Sequence, residues 1–358
     1  MAIDMFSTRT MMPMVEEGRT TKYTWLRDRY FSNRVPFDTE YIEFDVVDQK
    51  GRKLPPFVNP RASGTLSTRE GYKTLSYKAP ELAPFRVTTA EDVLKRAPGE
   101  TIYTNSTPME RAAKIMGQDF KEMDEDIGRR EEAMCAEALF KGKVTVAGAG
   151  LGFDEICYWS HLSAGKQPKT TFAAKWNASG TTCQDIMKDL RGVRQLMIKQ
   201  GGFTPTELIC GTKVLDLLLD KFTKDDAFDK RKVDIGAINP QHLPNGVSYW
   251  GYLADSNLDI YSYDEWYTSE AGADVAMIPE NLCLLASPNV RTMMAYSAVG
   301  IVDEREAGGL MVIPGARVPT SWVQHANPTG RILQIKSRPL PVIQQIYGFR
   351  VIDALSSS

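Results

Sequence analysis

Hydrophobic and polar positions alternate from Tyr41 to Val47, with Ile42, Phe44 and Val46 on one side and Tyr41, Glu43, Asp45 and Val47 on the other. A period of two predicts a strand, and the turn Asp48-Gln49-Lys50-Gly51 ends it, opening a hairpin or a long loop. A second period governs Thr107 to Gly142. Met109, Ala113, Met116, Phe120, Met123, Ile127, Met134 and Ala138 fall four and three apart, apart from one missed turn at Arg130, which predicts a helix about 50 Å long. Thr107 is a capping residue, Pro108 suits the first helical position, Glu110 completes a Thr-x-x-Glu box, and Gly142 stops the helix behind Lys141. The apolar stripe is narrow and the other faces are charged, so the helix is expected to lie across a surface with one side buried.

The remaining pattern is less regular. Up to Glu40 there are methionines, scattered charges and no sustained period, then a short amphipathic stretch around Trp25, Leu26, Tyr30 and Phe31, which reads as an arm needing a partner surface. Arg52 to Ala90 is rich in Pro and Gly, with isolated hydrophobes too sparse for a core. Such a stretch is either disordered or an extension that packs on something else, and the strand-like flanks fit the second reading. Mixed strands follow the long helix from Lys143 to Gly180. Thr182-x-x-Asp185 then opens a helix through Ile186, Leu190, Val193 and Met197. A strand Glu207 to Cys210, a helix Lys213 to Phe222 and short strands at Val247 to Tyr252, Asp259 to Tyr263, Ala276 to Ile278 and Cys283 to Ala286 come next. Two long strands are expected in the tail, Ile332 to Ile335 and Leu340 to Asp353. This succession is an α+β unit, and no internal repeat is present.

Composition narrows the function. The 358 residues are 42% hydrophobic and 25% charged, the range of ordinary globular proteins with a sizeable core and about two domains. Lys and Arg number 43 against 45 Asp and Glu, a formal charge of −2, which argues against a module held on nucleic acid by phosphate neutralisation. No run of about 18 apolar residues and no secretory signal pattern is found, so use in a cytoplasm is expected, without a membrane span. Cys135, Cys157, Cys183, Cys210 and Cys283 form no close pairs and are read as reduced small hydrophobes.

The search for chemistry yields little. Val146-Ala-Gly-Ala-Gly-Leu-Gly-Phe153 is similar to a dinucleotide phosphate loop, but Phe153 stands at the third glycine and no apolar-periodic helix follows, so a turn after the long helix is the better reading. His161, His242 and His325 are too few and too scattered for a triad or a metal site, and no nucleophile-elbow, zincin or P-loop string is present. Asp124-Glu125-Asp126 and Asp225-Asp226 are read as solvated surface, and the run Tyr261, Tyr263, Trp266, Tyr267 as a strand face packed on its domain. No catalytic, cofactor-binding or metal residue is therefore assigned.

Several segments in order carry a resemblance: Tyr30-Phe31 with Phe37-Asp38-Thr39-Glu40, the strand Ile42 to Val47, Pro55 to Pro60 with Gly64, the helix end Ala138 to Lys143, Ser321-Trp322-Val323, and Ser337 to Ile343. Together they resemble the lambda-like major capsid proteins of tailed bacteriophages, the phage major capsid protein E family. The resemblance implies the α+β Hong Kong 97 phage-like capsid fold: an N-terminal arm (1–40), an extended loop (41–90), a peripheral domain with a long spine helix (91–180, helix 107–142, with return strands 301–358) and an axial domain (181–300). It also implies a homo-oligomer of hexamers and pentamers forming an icosahedral shell around double-stranded DNA. Assembly would occur in the host cytoplasm, the subunit would end in the virion, and a scaffolding protein, a portal and a decoration protein would be partners, with DNA touched weakly and without sequence preference. Contacts between subunits are expected at Trp25, Tyr30, Phe31, Phe57, Val58, Arg61, Arg69, Tyr72, Lys73 and Tyr77. A nanocompartment shell of the same fold, a tail tube protein and an enzyme with an unrecognised site are the competing readings. Stretches such as Asp303 to Gly315 have little counterpart in lambda-like chains.

Overall fold

The computed structural model describes residues 24–47, 54, 56–59, 72–94, 107–148, 151–160, 162, 164–224, 236–243, 245–269, 272–302, 310–325 and 329–356. Five α-helices lie among them: α1 (Trp25–Tyr30), α2 (Ala90–Leu94), α3 (Pro108–Phe140), α4 (Cys183–Gly201) and α5 (Thr212–Lys224). The long helix begins as its sequence dictates. The Thr107 hydroxyl accepts the Glu110 N–H, and the Glu110 carboxylate accepts the Thr107 N–H at 2.9 Å. It ends at Gly142, whose φ of 67° suits glycine; a Cβ there would meet the Trp159 ring at 2.1 Å.

The two halves of α3 are packed differently. Met116, Phe120, Met123 and Ile127 lie on Leu333, Ile335 and Leu82, one face of a three-stranded antiparallel sheet in which Gly330–Lys336 sits between Val318–Gln324 and Phe85–Thr89. This half has the narrow stripe read from the sequence, except that Met109, placed on the stripe, is exposed. From Glu131 the picture changes. Residues 131–136 and 138–140 are all buried, so the expectation of a helix buried on one side fails for its C-terminal half. There the helix runs between the arm and strands from the far end of the chain.

Beside it lies a seven-stranded mixed sheet, in the order Lys169–Thr171, Phe349–Asp353, Leu282–Ala286, Glu207–Cys210, Leu258–Tyr263, Val247–Leu253, Gly236–His242. Alternation along these strands feeds two cores. Leu208, Cys210, Cys283, Leu285 and Ile352 face a cluster with Ile186, Leu190 and Leu218 of α4 and α5, while Ile209, Leu284 and Val351 join Met134, Ala138 and Leu139 of α3. Thr182 and Asp185 cap α4 reciprocally, and Gly202 ends it at φ 76°. The tail forms three strands, Gly330–Lys336, Pro339–Ile343 and Phe349–Asp353, where two had been expected.

The arm docks on its own subunit. Arg34–Pro36 pairs in parallel with Thr292–Tyr296, which pairs antiparallel with Pro339–Ile343. Tyr41–Val47 pairs antiparallel with Tyr72–Lys78, Ile42 opposite Tyr77 and Phe44 opposite Leu75, with Ile42 and Phe44 turned inward as the alternation required. The chain rejoins the body by Leu82, whose N–H and carbonyl bond Ser337, and by Phe85–Thr89. The segment with too few hydrophobes for a core therefore ends before Leu82.

These halves give a sharp test. Phe120 is 1% exposed under the sheet, and Lys121 beside it is exposed. Phe120→Asp should destabilise by about 3 kcal/mol or more and abolish soluble subunit, whereas Lys121→Asp should change stability by less than about 0.5 kcal/mol. The soluble yield of both variants, with urea denaturation of whichever folds against the parent, measures this, and equal effects would contradict the packing described.

Candidate functional site

Nothing described here assembles a reaction centre. His242 Nδ1 lies 2.9 Å from Ser248 Oγ, His325 is exposed, and His161 lies outside the described residues. Among the described residues no group of His, Cys, Asp or Glu is placed to hold a metal ion, and no helix is long and apolar enough to cross a membrane. The strands on either side of the glycine run pair antiparallel, Lys143–Gly148 with Leu151–Cys157, and residues 149 and 150 lie outside the described residues. Cys135, Cys183, Cys210 and Cys283 are buried free thiols, and Cys157 is half-buried.

The chain does build a buried polar clasp around the arm. Glu132, fully buried on α3, accepts the backbone N–H groups of Leu26 at 2.7 Å and Arg27 at 3.0 Å, the first turn of α1. One residue earlier, Glu131 takes the Arg27 guanidinium at 2.7 Å and the Arg317 guanidinium at 2.6 Å and 3.1 Å. Arg317 also bonds Asp124 at 2.6 Å. Asp124, read from sequence as solvated, is thus a partner in a buried ion cluster; Asp225 and Asp226 lie outside the described residues. At the other end of α1, Tyr30 Oη and Arg29 bond the buried Glu207 carboxylate, with Arg29 Nε at 3.1 Å.

Charge and burial pull the two neighbouring glutamates apart. Burial opposes ionisation of Glu131, but Arg317 and Arg27 outweigh it and hold its carboxyl below the usual range. Glu132 has no guanidinium bonded to its carboxylate, so burial pushes it up to about 7, only partly offset by the two backbone N–H bonds. Facing it are the Arg27 guanidinium, Glu131 and Cys135 on its own helix, and the phenol of Tyr263 from the large sheet.

The residues expected at subunit contacts divide accordingly. Tyr30 and Phe31 are buried within their own subunit; the ring of half-buried Trp25 packs at a tilt of 44° against those of Tyr261 and Tyr263. Tyr77 turns inward too, its hydroxyl bonding the Cys157 carbonyl and its ring meeting Phe44 and Tyr158. Phe57 and Val58 are exposed, as is Leu54. Tyr72 and Lys73 lie in a strand whose side chains there are not described, and Arg61 and Arg69 lie outside the described residues. A surface not anticipated from sequence is the outer face of the three-stranded sheet, where register aligns Trp322, Ile332 and Val87 in one row and Phe85 in the next. Trp322, Val87 and Phe85 are exposed on it. Trp322 and Val323 stand side by side in the sequence and so on opposite faces of the strand, which carried no signal of which face would be left open.

Comparison with known proteins places this architecture. The model of the family described as phage major capsid protein E matches residues 7–350. The major capsid protein of Enterobacteria phage P21 is 23% identical over 361 residues, covering 98% of this chain and 99% of its own. That of Escherichia phage lambda is 21% identical over 343 residues, covering 95% and 96%. The crystal structure of a prophage capsid protein from Escherichia coli CFT073 superposes with a TM-score of 0.69 at 17% identity, over 97% of this chain and 99% of that one. The fold is a mixed α+β fold related to capsids of the Hong Kong 97 type.

The clasp makes stability depend on pH. Because the folded Glu132 carboxyl sits near 7 against an ordinary 4.5, the folded state binds the proton more tightly. Its contribution is present in full below pH 4.5 and is lost as pH rises through about 7, a change of about 3 kcal/mol. The melting temperature of the parent minus that of Glu132→Gln should therefore fall between pH 4.5 and 7. A flat difference would show that this carboxyl is not proton-linked.

Proposed function

The chain belongs to the phage major capsid protein E family, and we infer from this premise how its subunits join in the shell. It is a major capsid protein of a tailed bacteriophage, a structural protein of the virion that forms an icosahedral shell. The observation that carries the finer reading is the hairpin Tyr41–Val47 with Tyr72–Lys78, beyond which Leu54 and Phe57 stand almost wholly exposed. Large side chains left in water at such a site mark a contact surface. We propose that this extended hairpin lies on a neighbouring subunit, and that Phe57, Val58, Arg61, Arg69, Tyr72 and Lys73 make that contact.

In this reading α3 is the spine of a peripheral domain that the three-stranded sheet completes, and residues 181–300 form the axial domain at the centre of hexamers and pentamers. A surface that receives the hairpin of one copy and lends its own to the next makes a heterologous interface, which closes into rings. Assembly in the host cytoplasm would draw on a scaffolding protein, a portal and a decoration protein. A net charge of −2 suits a wall that confines DNA through weak contacts without reading it.

The test separates folding from assembly. Replacing residues 50–70 by a short Gly-Ser linker leaves both paired strands and the strand Phe85–Thr89 intact. The variant should stay soluble, with near-native circular dichroism and a cooperative melt, while sedimentation finds only monomers or isolated capsomers. Closed shells in electron micrographs would remove the hairpin from its joining role, and loss of the cooperative melt would place residues 50–70 in the subunit core.

A further inference from the structure

A groove of about 410 Å³ lies between the C-terminal half of α3 and the hairpin Trp266–Thr268 with Asp274–Ala276. Its floor is Ala133, Ala136 and Phe140 of α3 with Met277, and its lip is Trp266 and Val275. The floor residues are buried, yet Trp266 is 51% exposed. The small alanines open a trough on the helix, with Glu137, Lys141, Asp274 and Glu280 also on its lining, and the large aromatic left half in water beside it has no cover among the described residues.

The chain itself holds a fitting cover. Thr24 stands beside α3, its Cγ2 3.8 Å from where a Cβ at Gly128 would lie. From Gly128 the groove begins about 7 Å along the axis at Ala133 and ends about 18 Å along at Phe140, with Ala136 about 80° round the helix. Residues 15–23 form a stretch rich in Glu, Arg, Thr and Lys, and nine residues span up to about 30 Å. Before them stands Met11-Met12-Pro13-Met14, with Met5 and Phe6 further back. Methionine is the side chain best suited to an irregular apolar trough. A segment tethered so close has an effective concentration on the order of millimolar, far above that of a free peptide.

We propose that Met11–Met14 of the same subunit occupies this groove, covering Trp266 and fastening the arm a second time, beyond the clasp at Glu131 and Glu132. The docking is intramolecular and stands apart from the contact assigned to the extended hairpin.

The experiment uses the full-length soluble subunit with benzoylphenylalanine in place of Val275. Irradiation should yield one main adduct, on the tryptic peptide Thr10–Arg19, at a yield independent of subunit concentration. A mixture of ¹⁴N- and ¹⁵N-labelled subunits should give adducts of matched label only. Changing Met11, Met12 and Met14 together to Ser should lower the yield about tenfold, the loss equivalent to about 1.4 kcal/mol. The inference is overturned by adducts that fall elsewhere or nowhere, by mixed labels, which would assign the groove to a second copy, or by a yield the Ser variant leaves unchanged. Acrylamide quenching gives an independent reading: Trp266, isolated by difference from Trp266→Phe, should be more accessible in the Ser variant, and equal accessibility contradicts the proposal.

Discussion

Burying a charge is expensive unless every neighbour is in place, and this subunit buries a cluster of them where three distant parts of the chain meet. Arg27 comes from the arm, Asp124 and Glu131 from α3, and Arg317 from the approach to the C-terminal strands. In a low-dielectric interior, removal of any one partner leaves an uncompensated ion, at a cost of about 3–5 kcal/mol. A fully apolar cluster of similar volume often serves stability as well, so the charges specify position more than they add strength. Glu132 adds direction. By accepting two N–H groups from the first turn of α1 it fixes which end of that helix meets α3.

With the arm so placed, the subunit encloses Tyr30, Phe31, Ile42 and Phe44, yet among the described residues it leaves large side chains uncovered at several places, among them the extended hairpin, the outer face of the three-stranded sheet, and the lip of the α3 groove. The body is thus a complete core with incomplete edges. Each sheet supplies one explanation. The seven-stranded sheet is covered on both faces, by α4 and α5 on one and α3 on the other, whereas the three-stranded sheet has α3 on one side only. For a protein whose working state is a shell, an uncovered face is where a neighbour can be recognised.

What the sequence disclosed was local. The caps of α3 and α4, the alternation of Ile42 and Phe44, and the strand Glu207–Cys210 follow from rules acting over a few residues, and they appear in the structure where those rules put them. What it concealed was distant. Asp124 lies in a charged run typical of a wet surface, and its partner is 193 residues away. Tyr30 and Phe31 read as a sticky arm because their cover, Phe349 and the strand Thr292–Tyr296, stands near the other end of the chain. The apolar stripe could not show that α3 passes from a one-sided to an enclosed setting, since Glu131 and Glu132 interrupt it just where burial becomes complete. The glycine run misled least, since a failed third glycine and the absence of a following helix already pointed to a turn.

The parallel pairing of Arg34–Pro36 with Thr292–Tyr296 has a consequence in time. Arg34 lies opposite Met294, so this early strand must wait for 260 further residues before its partner strand exists. At bacterial elongation rates that is roughly 13–50 s. The strand that completes the same sheet, Pro339–Ile343, arrives later still. Until then the strand Arg34–Pro36 has no partner strand, and the body lacks its last strands. The order of translation thereby withholds the finished sheet until the C-terminal strands have been made.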